Sequence, residues 1–210
     1  MKLNYVTYAD DTMPAYRYRM QIPGEYLKTI GHEYSITDLP EDADLHVYFK
    51  PYHQNQELLN ATLTMASKRR FVLDICDDVF RRDSPVPEYM RRMAGMAEVI
   101  TVSTDALKST VLSETGIEPT VISDPCEFPE RPIKDISEPK VMWFGTFTNI
   151  ISLKDIKFDY PLEVICSRKG YKAAKEIGAK FTEWSLEAMR DAFDRNNIVI
   201  IPSLDKRQKQ

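Results

Sequence analysis

Val141-Met-Trp-Phe-Gly-Thr-Phe-Thr-Asn149 carries an apolar strand into a glycine and then into small hydroxyl and amide side chains. A short apolar run without alternation, closed by glycine, reads as a strand buried on both faces of a parallel sheet. Just before it, residues 125–139 are rich in proline and charge and lack periodicity, the pattern of a linker. A strand that follows a linker opens a new sheet. The chain is therefore predicted to hold a first domain over 1–124, a linker over 125–139 and a second unit over 140–210.

On the near side of the linker, short apolar runs alternate with amphipathic stretches. Strands are expected at Leu3–Tyr8, His32–Ile36, Leu45–Phe49, Arg70–Ile75, Val99–Ser103 and Thr120–Ile122. The helices between them are placed at Ala15–Thr29, weakened by Pro23-Gly24 and stopped by Gly31, then at Glu57–Ser67, Pro87–Ala97 and Thr104–Glu114. Beyond the linker, strands at Val141–Phe144, Leu162–Cys166 and Ile198–Ile201 flank helices at Tyr171–Ile177 and Ser185–Asn196, with a short strand possible at Lys180–Trp184. Thr104 and Ser185 suit helix N-caps. Strand–helix alternation is the signature of parallel sheets with helices on both faces. The fold class is α/β: two Rossmann-like units, the second incomplete, with six to nine strands in all.

Composition narrows the function. The 210 residues are 43% hydrophobic and 29% charged, a globular balance that excludes a disordered chain. A net charge of −4 argues against a general nucleic-acid binder. Three scattered cysteines, Cys76, Cys126 and Cys166, fit free thiols in a reducing compartment better than disulfides or a zinc site. No apolar run approaches the ~20 residues of a membrane helix, and the N-terminus lacks a signal-peptide core. The expectation is a soluble cytoplasmic protein with no integral membrane segment.

Three stretches carry candidate chemistry. Gly145 permits close backbone approach, and Thr146, Thr148 and Asn149 offer donors to a diphosphate; the same residues also fit a plain strand-end turn. Asp74, Asp77 and Asp78 follow an apolar strand, where carboxylates can orient sugar hydroxyls, act as a base or hold a cation, or else cap the next helix. Asp74 sits inside the apolar run and needs a partner if buried. Arg17 and Arg19 open the first helix; Arg17 suits an anionic ligand, whereas Arg19 is expected to pair at the surface with Asp10 and Asp11. Of three histidines, only His53, after Pro51-Tyr52, is placed like a catalytic base. No pair of histidines has metal-ligand spacing, and no metal site is expected.

These segments taken together resemble a known family. Ala15-Tyr16-Arg17-Tyr18-Arg19 opens a helix, followed by LKTIGHEYSI (27–36), FVLDICDDVF (71–80), YMRRMAGMAEVITVSTDAL (89–107), VISDPCEFP (121–129), VMWFGTFTN (141–149) and NIVIIPS (197–203). The set is similar to GT-B-type glycosyltransferases of the retaining, glycogen-synthase-like "group 1" kind, most of all divergent members from phages and environmental bacteria. That likeness implies two Rossmann-like domains facing a cleft, the second holding a nucleotide-diphosphate sugar as donor and the first a carbohydrate or other hydroxyl acceptor, with no obligatory cofactor. It implies that Gly145, Thr146 and Asn149 approach the donor diphosphate, that Pro202 and Ser203 lie near the nucleotide, and that Lys206 or Lys209 faces the diphosphate. Arg17 falls on the cleft side of the first domain, and Asp124 and Glu127 on the interdomain turn. The family's paired glutamates that grip the donor fall beyond Gln210, so the chain is expected to be a C-terminally truncated member. Two other functions fit the residues: a metal-dependent transferase using Asp74, Asp77 and Asp78, and a non-catalytic binding module. An open edge on the second sheet could recruit another copy of the chain.

Overall fold

The computed structural model describes residues 1–11, 13–53, 55–126, 132 and 134–202. It divides into two compact units, Met1–Pro129 and Glu130–Gln210.

The first unit is built on six parallel strands: β1 (Lys2–Val6), β2 (Glu33–Thr37), β3 (Leu45–Phe49), β4 (Phe71–Ile75), β5 (Val99–Val102) and β6 (Thr120–Val121). Their order is β2-β1-β3-β4-β5-β6. The helices are α1 (Pro14–Tyr16), a π-helical turn (Arg17–Gln21), α2 (Ile22–Thr29), α3 (Gln56–Ala66), α4 (Val86–Met96) and α5 (Asp105–Thr115). Alternate strand residues feed opposite cores. Tyr48, Phe71, Leu73 and Ile75 pack with Leu59, Leu63, Met90, Met93 and Val111 of α3, α4 and α5. Tyr5 and Phe49 pack on the other face with Met20. The chain runs from β1 to β2 in one direction along the sheet and from β3 onward in the other. The switch lies between β1 and β3, and in open α/β sheets ligands gather outside the carboxyl ends of strands at such a point.

Proline explains the π turn. Pro23 has no N–H, and in a regular helix its ring would crowd the carbonyl of Arg19. The N–H of Ile22 reaches back five residues to the carbonyl of Arg17, so the helix continues through the obstacle. Gly31, with φ +84°, closes α2: its N–H and that of His32 bond back to Lys28 and Leu27.

The second unit has four parallel strands, β7 (Val141–Phe144), β8 (Leu162–Cys166), β9 (Lys180–Glu183) and β10 (Ile198–Val199), in the order β10-β7-β8-β9. Two 3₁₀ segments (Phe147–Leu153 and Arg168–Gly170), α6 (Tyr171–Glu176) and α7 (Leu186–Arg195) connect them. Val141 and Trp143 pack with Val164, Leu153 and Ala174 on one face. Met142 and Ile165 pack with Ala192 of α7 on the other. Helices thus cover both faces, and β7 and β10 mark a second switch point. The strand through Trp143 and the strand through Asp74 belong to different sheets.

Two differences from the sequence reading stand out. Ten strands form among the described residues, not six to nine, because Lys180–Glu183 pairs fully with β8. The stretch after β7, for which the sequence offered a strand-end turn, coils into a 3₁₀ helix over Phe147–Leu153. No described helix is long and apolar enough to cross a membrane.

Candidate functional site

Asp74 is the best-defined polar group of the first unit. It lies near the carboxyl end of β4 and is 5% exposed. A buried carboxylate must be paired, and Arg19 meets it with two donors, Nε to Oδ2 at 2.9 Å and Nη2 to Oδ1 at 2.5 Å. The Thr101 hydroxyl donates to Oδ1 as well. Both oxygens are therefore engaged by groups of the fold itself. Arg19 is not at the surface with Asp10 and Asp11, as the sequence suggested. It is buried, and its Nη1 reaches the carbonyl of Ile122 and the Asp124 carboxylate. Its guanidinium ties the first helical stretch to β4 and to the turn after β6.

The other two acids of the cluster part company with Asp74. Asp77 Oδ2 accepts from Lys50 Nζ at 2.7 Å, and Asp78 pairs with Arg81 at 3.0 Å. Asp78 also accepts from the Phe80 N–H. Each acid thus has its own cation, and among the described residues no group of three metal-ligating side chains converges. Burial would lower the Lys50 ammonium, but its hydrogen bond to Asp77 and the neighbouring negative charge outweigh this and raise it above its ordinary value. Cys76 beside it is pushed up to about 12, first by burial, and is no thiolate nucleophile.

Lys50 was not singled out by sequence, yet it holds a φ of +43°, the sole non-glycine residue with positive φ among those described. A lysine in the left-handed region stores roughly 1–2 kcal/mol of strain, and such strain gathers where loops are held for function. The loop it opens is fixed at several points. The Tyr89 hydroxyl donates to the Pro51 carbonyl at 2.5 Å. His53 packs edge-on against Tyr8, which follows β1, with ring centroids 5.8 Å apart. This loop and the one after β4 border an open surface cavity of about 730 Å³, lined by Tyr52, His53, Arg82, Asp83 and Ser84 among others.

His53 lines that cavity, and one of its ring nitrogens is occupied. Nδ1 accepts the Asn55 N–H at 3.0 Å, so in the neutral ring the proton sits on Nε2. Arg17 is buried, and its Nη1 donates to the Asp11 carbonyl at 3.1 Å.

In the second unit Gly145 and Thr146 follow β7, and Pro202 follows β10, its neighbour in the sheet. These sequence-predicted residues therefore follow adjacent strands at one switch point. Thr146, Thr148 and Asn149 are exposed, and their side chains bond to no described residue. Gly145 also has a packing reason: a Cβ there would lie 2.9 Å from the Trp143 ring. Ser203 and Lys206, with Glu127 and Lys209, lie outside the described residues. The most elaborate charge network of this unit, unseen in the sequence, surrounds Glu163, whose carboxylate accepts from Arg195, Asn196 and Thr182. Burial alone would raise this carboxyl, but those hydrogen bonds and the Arg195 charge hold it at about 2. No model of a known protein family matches the chain, and no curated protein matches it in sequence.

Proposed function

We propose that the chain is a glycosyltransferase that binds a nucleotide-diphosphate sugar on its second unit and passes the hexose to a hydroxyl acceptor. One observation carries the reading: the Gly145–Asn149 segment and Pro202 lie at the carboxyl ends of adjacent strands, β7 and β10, where that sheet reverses its order. Ligands of open α/β sheets sit at such reversals. The exposed hydroxyls of Thr146 and Thr148 and the Asn149 amide are donors suited to diphosphate oxygens, and donors aimed at a leaving diphosphate stabilise its charge. The acceptor and a cytoplasmic setting belong to the same proposal.

A second reading, binding without turnover, is favoured by the engagement of both Asp74 oxygens with Arg19 and Thr101 and of His53 Nδ1 with the Asn55 N–H. Calorimetric titration with UDP- and GDP-sugars tests the first reading, together with an assay for released UDP or GDP. Saturable heat with at least one nucleotide sugar is expected, weakened tenfold or more by Asn149→Ala. Heat without release of the nucleoside diphosphate moves the assignment to the binding module. Absence of heat with every nucleotide sugar overturns both.

A further inference from the structure

The two units carry net charge of opposite sign. Acids outnumber lysine and arginine by seven over Met1–Pro129, whereas lysine and arginine outnumber acids by three over Glu130–Gln210. Much of the second unit's excess lies on one layer. The Phe147–Leu153 coil and α6 both pack on the sheet face of Val141, Trp143 and Val164, through Ile150, Leu153 and Ala174. Their outer sides are turned to solvent together. We propose that this side of the second unit is a docking surface for an anionic lipid bilayer, on which the protein rests without spanning it.

The cations come first. Lys154, Lys169, Lys172 and Lys175 are exposed, and none of them pairs with a carboxylate among the described residues. Exposed acids on the same segments, Asp155 and Glu176, are fewer. Apolar side chains stand beside these lysines: Ile151 is 49% exposed, Ile156 38%, and Phe147 and Tyr171 also reach solvent. Aliphatic tips that enter the acyl boundary, with ammonium groups among anionic headgroups, are the chemistry of an interfacial surface. Single-stranded nucleic acid fits less well. Its bases stack on open ring faces, but Arg168 lies over Tyr171 at 5.1 Å and Lys169 Nζ over Phe147 at 5.7 Å. Isoleucine offers no stacking face at all. The acidic first unit is repelled by the same bilayer, so charge selects which unit lands.

Flotation of the 210-residue chain with vesicles of phosphatidylcholine, alone or mixed with phosphatidylglycerol, tests this. Flotation is expected with the mixed vesicles only, and it should weaken as added salt screens the exposed charges. Lys172→Glu combined with Lys175→Glu should lower the affinity about tenfold or more, since each basic residue near an anionic surface is worth about a factor of five. Ile151→Ser combined with Ile156→Ser changes no charge and should weaken flotation too, with the melting temperature unchanged. Lys68→Glu, at an exposed position of the first unit, should leave it as it was. Several results overturn the proposal: no flotation with the mixed vesicles, full flotation of the serine variant, or tighter binding of polyglutamate or a single-stranded oligonucleotide than of the vesicles. Lipid docking is independent of sugar transfer, and calorimetry with nucleotide sugars reads the latter alone.

Discussion

Gly145 and Asp74 both close an apolar strand, and both invite a ligand-centred explanation. Packing explains a good part of each. A methyl group at position 145 would strike a Trp143 ring that is almost fully buried and has no room to yield. Gly145→Ala should therefore cost about 1–3 kcal/mol and perturb the Trp143 near-UV dichroism; an unchanged melt and spectrum would show that the ring moves freely. Glu163 gives a sharper test. Its carboxyl is held below its ordinary value of 4.5, at about 2. A lowered acid stabilises the fold above its unfolded pKa, and that contribution is lost as pH falls through the folded one. Stability of the second unit should thus decline between pH 4.5 and 2 in urea titrations. Glu163→Gln should remove this slope and cost about 1.5 kcal/mol at neutral pH, as loss of hydrogen bonds to a charged group does, since the Arg195 left behind is exposed. The need of Asp74 for a partner was legible from its apolar flanks. Which cation answers was not, because Arg19 lies 55 residues away in sequence.

At the scale of single elements the sequence is a good guide wherever local chemistry governs. The Thr104 and Ser185 hydroxyls cap α5 and α7, accepting from Leu107 and Ala188 at 3.2 and 3.0 Å. Thr104→Ala and Ser185→Ala should each cost about 1 kcal/mol, readable as a lowered denaturation midpoint with unchanged slope. β3, β7 and β8 fall on the apolar runs that announce them. Elsewhere a neighbour overrides propensity. The helix expected over Ala15–Thr29 forms, and a π turn carries it past the weak point at Pro23-Gly24. The Phe147–Leu153 coil has mixed hydroxyl and β-branched residues that specify no regular period, and the burial of Ile150 and Leu153 against β7 settles its shape. Nothing in Lys50 foretells a left-handed backbone, since lysine has no preference for it.

The whole molecule consists of two units with separate cores, and each sheet reverses its strand order once. Alternation of strands and helices made the parallel sheets legible. Strand order was not, because pairing joins residues far apart and no local pattern encodes it. The reversals are what distinguish carboxyl-end loops that face a switch from those that do not. That is why Thr146, Asn149 and Pro202 stayed grouped as candidates while Tyr52, Arg82 and Asp83 emerged from structure alone. Separate cores carry a measurable consequence: calorimetric unfolding should resolve two transitions, and Glu163→Gln should shift just one of them. A single transition moved as a whole would mean that the two cores melt together.

The guanidinium clasp between Arg19, Asp74 and Asp124 also sets a schedule for synthesis. Its most distant members are 105 residues apart, which a ribosome spans in roughly 5–20 s. Throughout that interval the early helical stretch has emerged with its cation still hydrated and its anchoring acids not yet made or not yet in place. The first unit can lock only after its last strand has cleared the exit tunnel, so nascent chains stalled before Ile122 should remain open to protease at the Arg17–Gln21 turn.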